Sequence, residues 1–218
     1  GIWSNGTGNS PVIQNNDIYN NTYYGIVVYE NATTPSNPVI TNNSIYGHGY
    51  ENLWVKCTSG DMSGVKINAR NNWWGTTDVL AIATEIYDYT EHNLSPAVDF
   101  SNYLDGAGGN PVTASVVSGA FLNNVTWSLA SSPYYVVGSV TVKPNVSLTI
   151  EPGVQVKFVG NYQLRVDGTL NAQGTAGNEI VFTSNKTTPA ALDWQNIYFT
   201  STSGGSLMKY VKVVYSNY

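Results

Sequence analysis

The groups in this chain that could act on a substrate are few: two histidines, one cysteine and fourteen carboxylates among 218 residues. Glycoside hydrolysis needs two carboxyls held at a set separation. Here the acids are spread singly, and no adjacent Asp-Asp pair occurs. Asp17 and Glu30 are the acids that the repeat pattern described below allows to be placed. His48 in YGHGY, His92 in YTEHNLSP and Cys57 in LWVKCTSG lie far apart in the chain, which argues against a His/Cys metal site. There is no Gly-rich phosphate loop and no nucleophile elbow, and no Asp-rich loop calls for calcium. The expectation is therefore no metal, no cofactor and no catalytic residue. Cys57 has no partner for an internal disulfide and reads as a small buried hydrophobe at a strand end.

Aromatics are in surplus, with sixteen Tyr and six Trp. Tyr23, Tyr24, Tyr29, Tyr46 and Tyr50 cluster in one region. They read either as outward strand positions, which suit a flat ring with a polar tip, or as a face that binds sugar. Asn-x-Ser/Thr sequons occur at Asn5, Asn20, Asn31, Asn42, Asn124, Asn145 and Asn185, and N-glycosylation at them is expected on a secreted surface. A further sequon at Asn93 is followed by Ser95-Pro96, which disfavours its use.

The composition points the same way. Charged residues are only 11% of the chain, and Asn, Ser, Thr, Gly and Tyr supply the polar surface instead. A net charge of −5, with nine scattered Lys and Arg, excludes a nucleic-acid stripe. No run of about 18 apolar residues exists, so no membrane span is expected. The apolar content of 42% excludes a disordered chain. With neither an initiating Met nor a signal peptide, the sequence reads as a mature form or an excised piece, at an extracellular or cell-surface location.

Period-two alternation dominates the elements that must position these groups. From Val136 to Ala172, Val140, Val142, Leu148, Ile150, Val154, Val156, Phe158, Leu164 and Val166 share one face, with polar residues on the other. Short strands are predicted there, separated by turns such as KPN, EPG and DG, and again at EIVFTS, NIYFTS and YVKVVY. Only Asp78–Tyr89 is predicted helical, with Asp78 as N-cap and an apolar stripe of Val79, Ile82, Ala83 and Ile86. The segments SPVIQNNDIYNN and NPVITNNSIYGH repeat at a spacing of 27 residues. A looser copy, VKINARNNWWG, follows 29 residues further on. Repeats of this size built from short strands predict a solenoid. Paired Asn at matching corners fit it, because Asn tolerates a left-handed corner and its amide can bond to the next Asn in the stack. His48 takes the corner position that Asn21 holds one repeat earlier.

These residues resemble the right-handed parallel β-helix repeat proteins of prokaryotic cell surfaces. The resemblance is carried by NN.IYNN..YGI (Asn15–Ile26), by ARNNWWGT (Ala69–Thr76), and by SPYYVVGSVTVKPNVSLTIEPGVQVKF (Ser132–Phe158) with the LRVDGTLNAQGT that follows. It implies an all-β solenoid, and it implies no one function, because lyases, adhesins, spikes and passive scaffolds share this coil. Pectin-cleaving hydrolases of the fold carry a Gly-His-Gly like Gly47–Gly49, but their companion motifs are missing here. The resemblance also implies that Asn71, Asn72, Trp73, Trp74 and Gly75 form a closing cap.

In such proteins the SPY…VKF stretch opens a β-helix and NNWWGT closes it, whereas here the closing coil comes first. The expected organisation is closing coils and cap at 1–105, a linker at 106–112, and the opening coils of the next β-helix at 113–218. Tyr218–Gly1–Ile2 would repeat Tyr24–Gly25–Ile26, so the chain reads as beginning and ending within a coil. Gly1, Ile2, Trp3, Val211, Val213, Tyr215 and Tyr218 are accordingly expected as assembly ends. A tandem repeat of this unit, head-to-tail stacking of separate copies, and a permuted or cut fragment all fit. The favoured function is a non-enzymatic structural subunit of an extracellular filament, with copies of itself as partner and surface glycans as a further one. A carbohydrate-binding or polysaccharide-degrading module is the alternative, and a host-binding spike a third.

Overall fold

The computed structural model describes residues 1–5 and 8–217, which divide into unit 1, Gly1–Thr113, and unit 2, Ala114–Tyr218. Unit 1 holds β1 (Ile2–Asn5), β2 (Val12–Gln14), β3 (Asp17–Tyr19), β4 (Ile26–Asn31), β5 (Val39–Thr41), β6 (Ser44–Tyr46), β7 (Leu53–Ser59) and β8 (Lys66–Asn68). Then come α1 (Val79–Thr84), β9 (Ile86–Tyr87) and β10 (Ala97–Asp99). The strands stack coil on coil in three rows, β1-β4-β7-β9, β2-β5-β8-β10 and β3-β6, and every pairing is parallel. This is a parallel β-helix, in which each coil is the crossover that parallel strands require.

Period two gives the rows their inner and outer faces. Ile26, Leu53 and Ile86 stack in one inner row, Ile13 and Ile40 in the next, and Ile18 and Ile45 in the third, all buried. The corners divide the labour of each Asn pair. The first member, Asn15, Asn42 or Asn71, takes the left-handed conformation at φ +57°, +57° and +56°. The second member turns inward and builds a ladder. Asn43 Oδ1 accepts from the Asn16 amide and side chain, both at 3.0 Å, and Asn72 Oδ1 accepts from those of Asn43 at 2.8 and 3.0 Å. The 27- and 29-residue spacings are thus one rung each.

The helix is shorter than predicted. Asp78 caps it, its Oδ1 accepting from the amides of Leu80 and Ala81, but α1 stops at Thr84. Ile86 and Tyr87 leave the helical stripe because they pair as β9 with Leu53 and Trp54, and strand pairing outweighs a weak helix propensity. The glycine-rich stretch predicted as a linker makes a turn just before the boundary between the units. Leu104 bridges Pro111, the Asp105 amide donates to the Asn110 carbonyl, and Asp105 Oδ1 accepts from the Asn110 amide.

Unit 2 holds β11 (Ser115–Phe121), β12 (Val125–Trp127), β13 (Tyr134–Val142), β14 (Ser147–Ile150), β15 (Gln155–Phe158) and β16 (Leu164–Val166). It continues with β17 (Thr169–Gln173), β18 (Ile180–Ser184), β19 (Ile197–Phe199), β20 (Leu207–Lys209) and β21 (Val211–Val213). It is a second parallel β-helix. Its rows are β11-β13-β15-β18-β21, β11-β13-β16-β19 and β12-β14-β17-β20, with the long β11 and β13 spanning the corner between the first two. All nine residues predicted on the inner face, Val140 to Val166, are buried. Phe158 and Trp194 stack at 4.0 Å within this core, and the Trp194 indole N–H donates to the Val214 carbonyl.

Candidate functional site

The first coil of unit 1 and the last coil of unit 2 leave inner-row side chains uncovered. Ile2 is 36% exposed although Ile26, one rung in, is fully buried. Phe199 is 38% and Val213 43% exposed, while Val166 and Phe182 beneath them are fully buried. Among the described residues, β1, β2 and β3 each pair on one side only, and so do β19, β20 and β21. Gly1, Ile2 and Trp3 lie on the first of these edges, and Val211, Val213 and Tyr215 on or beside the second. Tyr218 lies outside the described residues. Gly1 sits against the Tyr24 carbonyl with no room for a Cβ, as Gly25 sits against the Asn52 carbonyl, so the two glycines hold equivalent places one coil apart. A cleft of about 390 Å³ opens between Trp3, Tyr23, Tyr24 and Val27 beside this edge.

The clustered tyrosines are stacked coil on coil. Tyr19 lies on Tyr46 at 5.6 Å and Tyr23 on Tyr50 at 5.8 Å, each pair within 10° of parallel. Trp54 stacks on Tyr87 at 5.2 Å and meets Tyr29 edge-on at 5.0 Å. Ring pairs of this kind add to the packing of the rungs. The 27-residue spacing of Tyr19 with Tyr46 and of Tyr23 with Tyr50 was the sequence signal for this stack.

Within the cap sequence, Trp73 bridges Ser44, and Trp74 is buried edge-on to Phe100. Gly75, at φ +85°, passes the Tyr46 side chain with no space for a Cβ. Strands β9 and β10 continue two of the three rows beyond it.

The carboxylates take other roles than a paired acid and base. Glu30 is fully buried, its oxygens accepting from the Ser36 amide and hydroxyl, and burial raises its pKa. Asp88 is buried and accepts from the amides of Thr90 and Val98, and burial raises its pKa also. Asp17 is exposed on β3, one rung from Ser44. Glu51 lies one residue before Asn52, whose amide donates to the Glu85 carbonyl on the next rung, a proximity that sequence reading missed. Burial is the main cause of the raised pKa values of Glu85 and Glu91, with Glu51 adding to both. Among the described residues, no three His, Cys, Asp or Glu side chains gather in a group that could hold a metal ion.

His48 Nδ1 accepts from the Asn21 amide at 3.2 Å, and burial lowers its pKa. His92 contacts the Ser95 hydroxyl, whose oxygen accepts from the amide of buried Cys57. Asn20 and Asn42 occupy left-handed corners, and Asn31 Oδ1 accepts from the Thr33 amide and hydroxyl. Asn5, Asn124 and Asn145 are exposed and Asn185 is half-buried. Ser95 of the remaining sequon is fully buried. Among the described residues, no helix is long and apolar enough to cross a membrane.

The family model of the pectate-lyase-like β-helix domain matches residues 119–203, inside unit 2. The Drosophila melanogaster protein bark beetle is 31% identical over 127 residues, covering 52% of this chain. The match spans only 4% of that protein's length. No solved structure matches.

Proposed function

We propose that this chain is a non-enzymatic structural subunit of an extracellular or cell-surface filament, assembled head to tail by adding β-helix coils at its free edges. The observation that carries this reading is the exposure of Ile2, Phe199 and Val213, which continue rows whose other members are fully buried. Unpaired strand edges beside exposed core rows form a template for further strands, and natural proteins normally cover such edges. Stacked units would bury the edges and the uncovered ring faces of Trp3, Tyr19 and Tyr23 together, so stability and assembly form one equilibrium. The copies are the partners, and glycans on the exposed sequons would decorate the outer surface.

The test is electron imaging of the purified chain across a concentration series. Filaments support the reading, and isolated particles of monomer size at every concentration refute it. Glu51 and Glu85, set on neighbouring rungs where the Asn52 amide donates to the Glu85 carbonyl, favour a second reading, a carbohydrate-active module. Turnover of acidic polysaccharides, abolished by Glu85→Gln, would establish that one instead.

A further inference from the structure

We infer that the edge of β19, β20 and β21 in one copy receives the edge of β1, β2 and β3 of a second copy in a single register, with Ile2 on Ile197, Ile13 on Met208 and Asp17 on Lys212. The inference rests on the head-to-tail reading above and specifies its contact.

A constant offset of 195 carries Ile2 to Ile197 and Ile18 to Val213 and brings the bounds of the three edge strands together to within one residue. Two left-handed residues anchor the match. Tyr210, at φ +49°, falls on Asn15 at +57°, and Tyr215, at +66°, falls on Asn20 at +54°. A tyrosine adopts this conformation only under constraint, so both corners are fixed by the coil path. The offset also preserves the facing of every strand. Inner residues meet inner residues, Ile2 on Ile197, Ile13 on Met208 and Ile18 on Val213. Exposed outer residues meet like residues, Trp3 on Tyr198 and Val12 on Leu207.

Backbone polarity agrees with the same register. In a parallel row, alternate residues turn their N–H and C=O to opposite neighbours. The Ile2 amide donates inward to the Gly25 carbonyl, so the Trp3 amide faces the free edge. The Leu164 amide takes the Asn196 carbonyl, which leaves the Ile197 carbonyl facing outward, opposite Trp3. In the β21 row, the Ile180 amide takes the Tyr210 carbonyl and the Val214 amide donates to Phe182, so Val211 and Val213 present their groups outward. Across from them, the Ser44 amide takes the Asn16 carbonyl, which frees Asp17 to bond both. A shift of one residue would break this alternation in every row at once.

Charge identifies the occupant as a second copy. Unit 1 carries ten acids and three bases, a formal −7, and unit 2 carries four acids and six bases, a formal +2. Unit 2 of one copy is thus drawn to unit 1 of another, and Lys212 opposite Asp17 places the attraction at the contact.

The test uses residues 1–218 with single cysteines at the outer positions Val12 and Leu207, the native Cys57 being buried. Mixing Val12→Cys with Leu207→Cys protein under mild oxidation should yield a disulfide-linked dimer. Val12→Cys alone, or mixed with Lys209→Cys, should yield several-fold less. Separately, Asp17→Lys and Lys212→Asp should each weaken association at low salt by about two- to five-fold, the range of an exposed pair, and the double exchange should restore it. If wild-type chains associate without the Val12–Leu207 crosslink, the register is wrong while the head-to-tail reading stands. If wild-type chains do not associate at any concentration, both fall.

Discussion

Replacing Asn43 by Ala isolates the contribution of the ladder. Asn43 is buried, and its carboxamide reaches Asn16, Asn72 and the carbonyls of Ile13 and Thr41. The substitution strips the amide of Asn16 of its acceptor and leaves three buried oxygens short of a donor. The Asn72 oxygen keeps the Asn43 amide, so the loss is partial there. An unmade buried bond costs about 1–3 kcal/mol, and with that discount the sum is about 3–5 kcal/mol, a large share of a typical domain's stability. Asn16→Ala is the internal comparison. It removes the same kind of rung at the exposed end, where water replaces the bonds, and should cost about 1 kcal/mol or less. The readout is native-state amide exchange at Ile45, whose N–H donates to the Trp73 carbonyl at 2.7 Å and reports on unit 1 alone. If Asn43→Ala lowers protection no more than Asn16→Ala does, the ladder does not hold the coils and the reasoning fails.

Other outcomes follow from the same geometry. Burial sets the pKa of Glu30 above its unfolded value, so its contribution to stability is complete below the unfolded pKa and is lost as pH rises through the folded one. Urea midpoints should therefore fall as pH rises above the ordinary carboxylate range, and Glu30→Gln, whose amide can accept from the Ser36 N–H and donate to the Ser36 hydroxyl, should flatten that fall. An unchanged slope in the variant would show that Glu30 is not the group responsible. Gly75→Ala forces a Cβ into a left-handed position against Tyr46 and should cost at least about 1–2 kcal/mol in chemical denaturation. Trp54→Ala removes ring contacts to Tyr24, Tyr29 and Tyr87, each worth about 0.5–1.5 kcal/mol, and should lower the thermal midpoint of unit 1 by several degrees.

The fold was legible because a β-helix repeats its physics at a readable interval. Alternation marked the inner rows, the 27-residue spacing marked the rungs, and the Asn pairs marked the corners. The division of labour within each Asn pair was not legible, since both members are the same residue type and only the backbone path separates them. The end of α1 at Thr84 was hidden because Ile86 satisfies a helical stripe and a strand row equally well. Glu51 and Glu85 come onto neighbouring rungs that no motif links. Tyr210 and Tyr215 carried no sign of their left-handed backbone, because tyrosine seldom adopts it.

Amide exchange at the two edges tests head-to-tail completion of the β-helix most directly. Trp3, Val211 and Val213 are among the residues whose N–H groups face these edges, and their exchange should be fast in dilute solution. As concentration rises, the account predicts that all three become protected together, to the level of the interior rungs. Fast exchange at these residues at every concentration, beside protected amides at Ile26 and Phe182, would contradict it.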